Sequence, residues 1–496
     1  MDARSILLAG VGLYLLVMLG IGAAAARRVT TTKDFLIAGG KLSLSFSTFA
    51  LLAAWYGAAT VMGAAGAAYE RGFLGVIADP FGSALTLILA GLFYVRLLRR
   101  AGYQTSVDFY EARYGRAAGV LAALTMVVVY IGWCGSQVVA LGFILNFLTG
   151  VDTVLATVIA AVVILAYTSM GGMLSAAWND FLHMVVLLVG ISVVTAVFAS
   201  TVDFFGALAR LPESHFHLRP HGAGWKEWVW YLEAWCALGL GNLPGQDLLQ
   251  RTFSARSEKV AQDSAYLAGL LYFGFGMIPV LIGMAGAVLL PKLAEPEVVV
   301  LELLQRSLSP ALLALLVGAL VSGITSASSS AVLAGASLAG KNLLRALRPG
   351  ASDHAVLQAN RIAVPVVGTV ALLVALKFQT VYQLMVGSFS VMLALLFASF
   401  HAGLYWRRAN RTGAIASIVV GAAGYVVFQR LWPDLPADLW AACASGMALV
   451  AASLLSARVD PPRTLRDAEG RVLEYRGRLG LMRSESVAWN RPTLKR

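Results

Sequence analysis

Charge is what this chain has least of. Asp, Glu, Lys and Arg together make up 13% of its 496 residues, about half the roughly 25% carried by soluble globular domains. Cysteine is almost absent. Cys134, Cys236 and Cys443 all lie in apolar runs, which excludes a disulfide framework and reads as small core residues. Histidine is scarce too. His215, His217 and His221 fall together in the long loop 201–227, but no carboxylate or cysteine is spaced to complete a metal site. Neither His183 nor Glu233 has a partner at a spacing that pairs a base with a nucleophile, so nothing points to an enzyme.

What is present is apolar length. Hydrophobic residues reach 59%, and uncharged runs recur from one end to the other, the pattern of an all-α polytopic membrane protein. Thirteen spans are expected, near 6–26, 45–69, 79–98, 118–147, 152–170, 179–200, 228–248, 264–290, 308–340, 359–377, 383–405, 412–429 and 437–456. The run Ile6–Ala26 lacks a strong basic flank and is followed by a dozen similar runs, so it reads as a retained first helix rather than a signal peptide. Most Lys and Arg residues fall on alternate loops and in the tail 457–496. That asymmetry accounts for the net charge of +12 and predicts a multi-pass protein of the cell membrane, N-terminus outside and C-terminus cytoplasmic. No folded basic domain exists to hold a nucleic acid. The expected organisation is a transmembrane domain over 1–456 and a flexible cytoplasmic tail over 457–496.

Two stretches are poor lipid anchors. Residues 42–69 carry no charge, yet Gly57, Gly63 and Gly66 interrupt a run of Ala, Thr and Ser around Trp55 and Tyr56. Such a helix opens locally and turns carbonyl oxygens toward an interior site. The second stretch, 228–250, is broken by Gly239, Gly241, Asn242 and Pro244-Gly245, and ends in Asp247, Gln250 and Arg251 at the mouth of a pathway. These are the second and seventh spans. Broken helices five apart point to an inverted repeat with a site at the membrane midplane, with halves near 45–200 and 228–405. Between Arg306 and Lys341 lie 34 uncharged residues whose centre holds six hydroxyls, Ser322, Thr325, Ser326, Ser328, Ser329 and Ser330. Ser322, Ser326, Ser329 and Ser330 share a face with Gly323, which predicts a hydroxyl-lined site. Trp133, Ser136 and Gln137 put polar atoms at mid-depth in the fourth span, and Asn179-Asp180 open the sixth. Asp79-Pro80 reads as an ordinary helix start.

Taken in order, several short motifs resemble the sodium:solute symporter family across roughly 5–425. They are Thr31-Thr32-Lys33-Asp34-Phe35-Leu36, Gly66-Ala-Ala-Tyr69-Glu-Arg-Gly72, Tyr167-Thr-Ser-Met-Gly171-Gly172 leading to Asp180, and Gln250-Arg251 with Ser254-Ala255. Ser326 followed by Lys341-Asn342-Leu343 completes the set. The cluster Ala53, Trp55 and Gly57, the segment Gly102-Tyr103 to Tyr114-Gly115 and Pro244-x-Gln246 are most similar to its choline-transporter branch. The resemblance implies a LeuT-like five-plus-five fold and sodium-coupled symport of a small polar solute: an amino acid, a carboxylate or a quaternary amine. It implies no bound cofactor besides the coupling ion. Sodium ligands would be the carbonyls of Ala53, Tyr56 and Gly323 and the hydroxyl of Ser326. The next position departs from the pattern, since Ala327 has no oxygen to give, and water or Ser330 would have to repair the cage. Solute contacts would come from Trp55, Gly57, Trp133, Gln137 and Gln246, with Asp180, Asp247 and Arg251 along the pathway. Gly245 stands where the choline branch has a further Trp, so an aromatic cage is incomplete. Proton-coupled or uncoupled transport, and a sensor that keeps the fold without transporting, are the rival readings favoured by Ala327.

Overall fold

The computed structural model describes residues 31–475 except 169–171 and 223, with scattered positions between 9 and 20. Most of the expected first span therefore lies outside the described residues. Among those described, nine helices are long and apolar enough to cross a membrane, with Leu44–Trp55 and Thr153–Ala166 as shorter apolar helices. The difference from the expected thirteen has several sources: the first span lies mostly outside the described residues, 45–69 and 79–98 contribute to one long interrupted stretch ending at Ala101, 152–170 is a short helix, and 228–248 is broken.

The chain enters through a short helix, Thr32–Ile37 (α1), opened by a capping box between Thr31 and Asp34. Helix α2, Leu44–Trp55, ends at Tyr56, whose backbone leaves the helical region. The chain resumes in a wide π turn, Ala59–Gly63, and continues as α3, Ala64–Arg71. After a second irregular segment containing Asp79 and Pro80 come α4, Ser83–Leu89, and α5, Val95–Ala101. A short, largely buried helix, α6 (Ser106–Tyr114), is again fixed by a capping box, Thr105 with Asp108.

The long helices follow: α7 (Arg116–Thr149), α8 (Thr153–Thr168) and α9 (Gly172–Thr201). The second expected break is equally plain. Helix α10, Trp225–Gly239, stops, a turn spans 240–245, and α11, Gln246–Ser254, begins. Helices α12 (Glu258–Leu289), α13 (Val299–Ser307), α14 (Pro310–Ser337), α15 (Asp353–Phe378), α16 (Val381–Met392), α17 (Ala398–Tyr405), α18 (Arg411–Leu431) and α19 (Ala437–Leu455) complete the described fold.

Burial separates centre from rim. In the span Pro310–Leu347 83% of the apolar window is buried, against 22% in Arg411–Leu431 and 28% in Asp353–Phe378. Small residues let α14 sit among α2, α7, α9 and α15. The rim helices turn Val366, Leu373, Val419, Val427 and Met447 outward, as a lipid-facing surface requires.

The two broken helices are tied to each other. Leu42 N donates to Ser254 O at 2.9 Å and Arg256 N to Leu42 O at 2.9 Å, so the entry to α2 pairs with the exit of α11. Gln250 donates to the Leu36 carbonyl.

Segment 457–475, part of the expected flexible tail, is docked. Leu465, Leu473 and Tyr475 are buried, Ala468 N donates to Ala101 O at 2.8 Å and the Tyr475 hydroxyl donates to Leu404 O at 2.9 Å. Arg113, fully buried, donates to the carbonyls of Gly403, Trp406 and Arg463. Residues 476–496 lie outside the described set.

Beside this face, Lys341 Nζ meets Asp108 Oδ2 at 2.7 Å, with Asn342 Nδ2 3.2 Å from Oδ1. Burial works to raise the Asp108 pKa, but the Lys341 ammonium and the backbone N–H of Gln104 outweigh it and hold the carboxyl below the ordinary aspartate range. A carboxylate depressed in this way adds stability that is complete above the ordinary aspartate range and is lost as pH falls through its lower folded value. Asp108→Asn leaves a buried ammonium unpaired and is expected to lower stability by roughly 3 kcal/mol. Thermal melts of the purified protein at neutral pH check this; an unchanged melting temperature refutes it.

Candidate functional site

The break after Trp55 frees backbone oxygens. Tyr56 N still donates to Leu52 O at 2.7 Å, but Gly57 N turns to Trp55 O at 2.9 Å instead of reaching Ala53 O. The Ala53 carbonyl so loses its helical donor. Ala58 N is taken by Gln137 Oε1 at 3.1 Å, which makes Gln137 the side chain that caps the opened turn. A methyl built on Gly57 would stand 2.9 Å from Ala327 Cβ and 3.0 Å from Gln137 Oε1, so only glycine lets α14 and α7 approach here. A methyl built on Gly323 would lie 3.7 Å from the Tyr56 carbonyl oxygen. The opened turn and the serine-rich helix are thus neighbours.

Next to them lies Asp180 on α9. The Ser326 hydroxyl donates to Asp180 Oδ1, while Asp180 Oδ2 is buried and accepts no hydrogen bond. The nearest cation is Arg251, with Nη2 3.5 Å from Oδ2. Arg251 is 2% exposed and, besides standing beside Asp180, bonds three helices including its own: Nε donates to Ala50 O at 2.7 Å, Nη1 to Asp247 O at 3.2 Å, and Nη2 to the Ser330 hydroxyl. Ser330 in turn donates to Ser326 O at 2.9 Å. Ser330, expected to supply the oxygen that Ala327 lacks, is therefore engaged by Arg251, and the oxygen beside Ser326 is the Asp180 carboxylate. Ser329 turns to Thr168 on α8, 2.9 Å away, so the hydroxyl face is shared among three neighbours.

Asp247 is the hub of a second group. Its Oδ2 accepts from Trp55 Nε1 at 2.5 Å and from Asn242 Nδ2 at 3.2 Å, and its Oδ1 from the Tyr130 hydroxyl at 2.5 Å. Trp133 stacks obliquely against Tyr130 and Phe389, centroids 5.9 and 5.6 Å away. Trp55 stands edge-on to Tyr272 at 6.4 Å. A fully buried carboxylate held by the Trp55 indole N–H and the Tyr130 hydroxyl, with Trp133 packed on Tyr130 and Phe389 on Trp133, places a negative charge among aromatic side chains. Gln246 is turned elsewhere: its Oε1 accepts from Ser106 N at 2.6 Å and its Nε2 donates to Ser337 Oγ at 3.3 Å, which braces α11 against α6 and α14.

Toward the opposite face opens a cavity of about 940 Å³, lined among others by Tyr231, Tyr382, Tyr425, Glu233 and Asp438. Tyr130, Asn242, Phe389 and Tyr272 were not legible as site residues, because aromatic and amide side chains are common in apolar helices.

A cleft of oxygens and rings at two helix breaks, inside a bundle with a lipid-facing rim, defines a membrane carrier and not an enzyme. A profile of the sodium:solute symporter family matches residues 35–421, and the chain belongs to that family. Its relatives include human high affinity choline transporter 1, 28% identical over 446 residues, which cover 84% of this chain and 75% of that protein. The osmoregulated proline transporter OpuE of Bacillus subtilis is 25% identical over 439 residues, covering 84% and 87%. Among solved structures, a substrate-bound, outward-open Na⁺-coupled sialic acid symporter superposes with a TM-score of 0.78 at 20% identity, covering 94% of this chain and all of that one. The fold is that of LeuT-like carriers, and the protein is a sodium-coupled solute symporter.

Gly57→Val is expected to cost about 1–3 kcal/mol through crowding against Ala327 and Gln137 and to abolish transport. Gly274→Ala, at an exposed position of α12 where the added methyl meets nothing within 4 Å, serves as the silent control. Melting curves and uptake measured side by side check the pair; equal behaviour of the two variants refutes the assignment.

Proposed function

We propose that this symporter carries a small solute with a positively charged nitrogen, a quaternary amine or an amino acid, bound between Trp55, Tyr130, Trp133 and Phe389 with Asp247 as counter-charge. The observation that carries this reading is the Asp247 carboxylate, fully buried and held by the indole N–H of Trp55 and the hydroxyl of Tyr130 rather than by a basic side chain within hydrogen-bonding distance of its oxygens. A ring face contributes about 0.5–2 kcal/mol to holding such a cation. A solute that is only a carboxylate would meet repulsion at the same place.

The coupling sodium sits between the carbonyls of Ala53, Tyr56 and Gly323 and the Ser326 hydroxyl. Asp180 makes up the oxygen that Ala327 lacks. Two lines of support are the carbonyl freed at Ala53 and the orphaned oxygen of Asp180. Two five-helix repeats, near 45–200 and 228–405, rock about this centre, with the 940 Å³ cavity as the outer approach and Arg251 at the inner mouth. A potential of 100 mV contributes about 2.3 kcal/mol per charge moved, enough to concentrate a solute near fiftyfold.

Reconstituted liposomes with an imposed sodium gradient and a panel of choline, proline and a simple carboxylate test the reading. Accumulation of an ammonium-bearing solute, lost in Asp247→Asn and weakened in Trp55→Phe, is expected. Accumulation of the carboxylate alone, or uptake unaffected by Asp247→Asn, overturns it. Ser326→Ala should raise the sodium concentration needed for half-maximal uptake about tenfold, since it removes one ligand of a charged ion; an unchanged sodium dependence rejects the cation site.

A further inference from the structure

We infer that the chain holds a second sodium site at Asp79, distinct from the one at Ser326. Asp79 was expected at an ordinary helix start, but it is fully buried. The irregular segment 77–82 carries it into the interior, between the opened turn after Trp55 and α12.

Four oxygen groups converge on this carboxylate or on each other. The Tyr272 hydroxyl donates to Asp79 Oδ1 at 2.6 Å and lies 3.3 Å from the Trp55 carbonyl. The Thr60 hydroxyl is 2.5 Å from the Tyr272 hydroxyl and 3.5 Å from the same carbonyl. Ser83, one turn beyond, places a further hydroxyl against Asp79. Yet Asp79 Oδ2 is buried and accepts no hydrogen bond, and no Lys, Arg or His pairs with Asp79 among the described residues.

A carboxylate buried in a bilayer without a basic partner is costly unless something positive reaches it. The surroundings favour a metal cation over a proton. A proton needs one acceptor, whereas sodium needs a shell of oxygens in place of its water. Here a carboxylate, three hydroxyls and a backbone carbonyl exposed at a helix break come from separate segments. The inference rests on the chain being a sodium symporter, and not on where the first ion binds.

The test is direct ²²Na⁺ binding to the purified full-length protein, for the wild type, Asp79→Asn, Ser326→Ala and the double variant. Asp79→Asn should lose one sodium of the wild-type stoichiometry and retain the ion that Ser326→Ala weakens about tenfold, with the double variant showing both effects. If Asp79→Asn aggregates in gel filtration, Tyr272→Phe replaces it, with an expected weakening of about tenfold in affinity for one ion. Unchanged stoichiometry and affinity in the Asp79 and Tyr272 variants overturn the inference, including the case in which Asp79 simply carries a proton. Loss of an ion in Asp79→Asn with neither stoichiometry nor sodium affinity changed in Ser326→Ala upholds this site and rejects the Ser326 site.

Discussion

One guanidinium holds the two broken helices in register. Arg251, on α11, bonds the Ala50 carbonyl of α2, the Asp247 carbonyl of its own helix and the Ser330 hydroxyl of α14, and stands beside Asp180 of α9. At 2% exposure such a charge is tolerable only because each N–H face finds an acceptor. The requirement is mutual. Remove the arginine and Asp180 and Ser330 lose their positive neighbour; remove Asp180 and the guanidinium loses its carboxylate. Planar, forked geometry lets one side chain serve four helices at once, which a lysine does not provide.

This constraint sets the character of the site. Because Arg251 takes Ser330, the proposed ion near the first break is left with the oxygens of Ala53, Tyr56, Gly323, Ser326 and Asp180. Because Trp55 and Tyr130 take Asp247, the charge deepest in the cleft is presented through ring edges. Backbone opening supplies carbonyls, and the side chains around it supply charge. Those two sources of oxygen are what a membrane interior otherwise lacks.

Much of this was legible in residue order. The low charge and recurring apolar runs fixed an all-helical membrane protein, and the glycine interruptions at Gly57 and at Gly239 to Gly245 fell where the helices open. The hydroxyls of α14, expected to line a site, are buried, and Ser326, Ser330 and Ser329 divide between Asp180, Arg251 and Thr168. Less legible was how many spans the chain has, since a broken segment counts as a span by hydropathy and as two short helices by hydrogen bonding. The tail 457–475 read as flexible because its charges dominate its composition, while Leu465, Leu473 and Tyr475 hold it to the body.

By itself the sequence determined where helices had to break and which faces had to avoid lipid, because glycine, proline and hydroxyl spacing act locally along the chain. Tertiary structure alone decided the partnerships: Asp180 beside Ser326, Gln137 capping Ala58, Gln246 braced on Ser106, and Asp79 drawn beneath Trp55. Pairs separated by 79 to 193 residues meet only after packing, and a carboxylate read at a span boundary becomes interior when an irregular turn carries it there. Their positions follow from how helices fill space together, which no local pattern encodes.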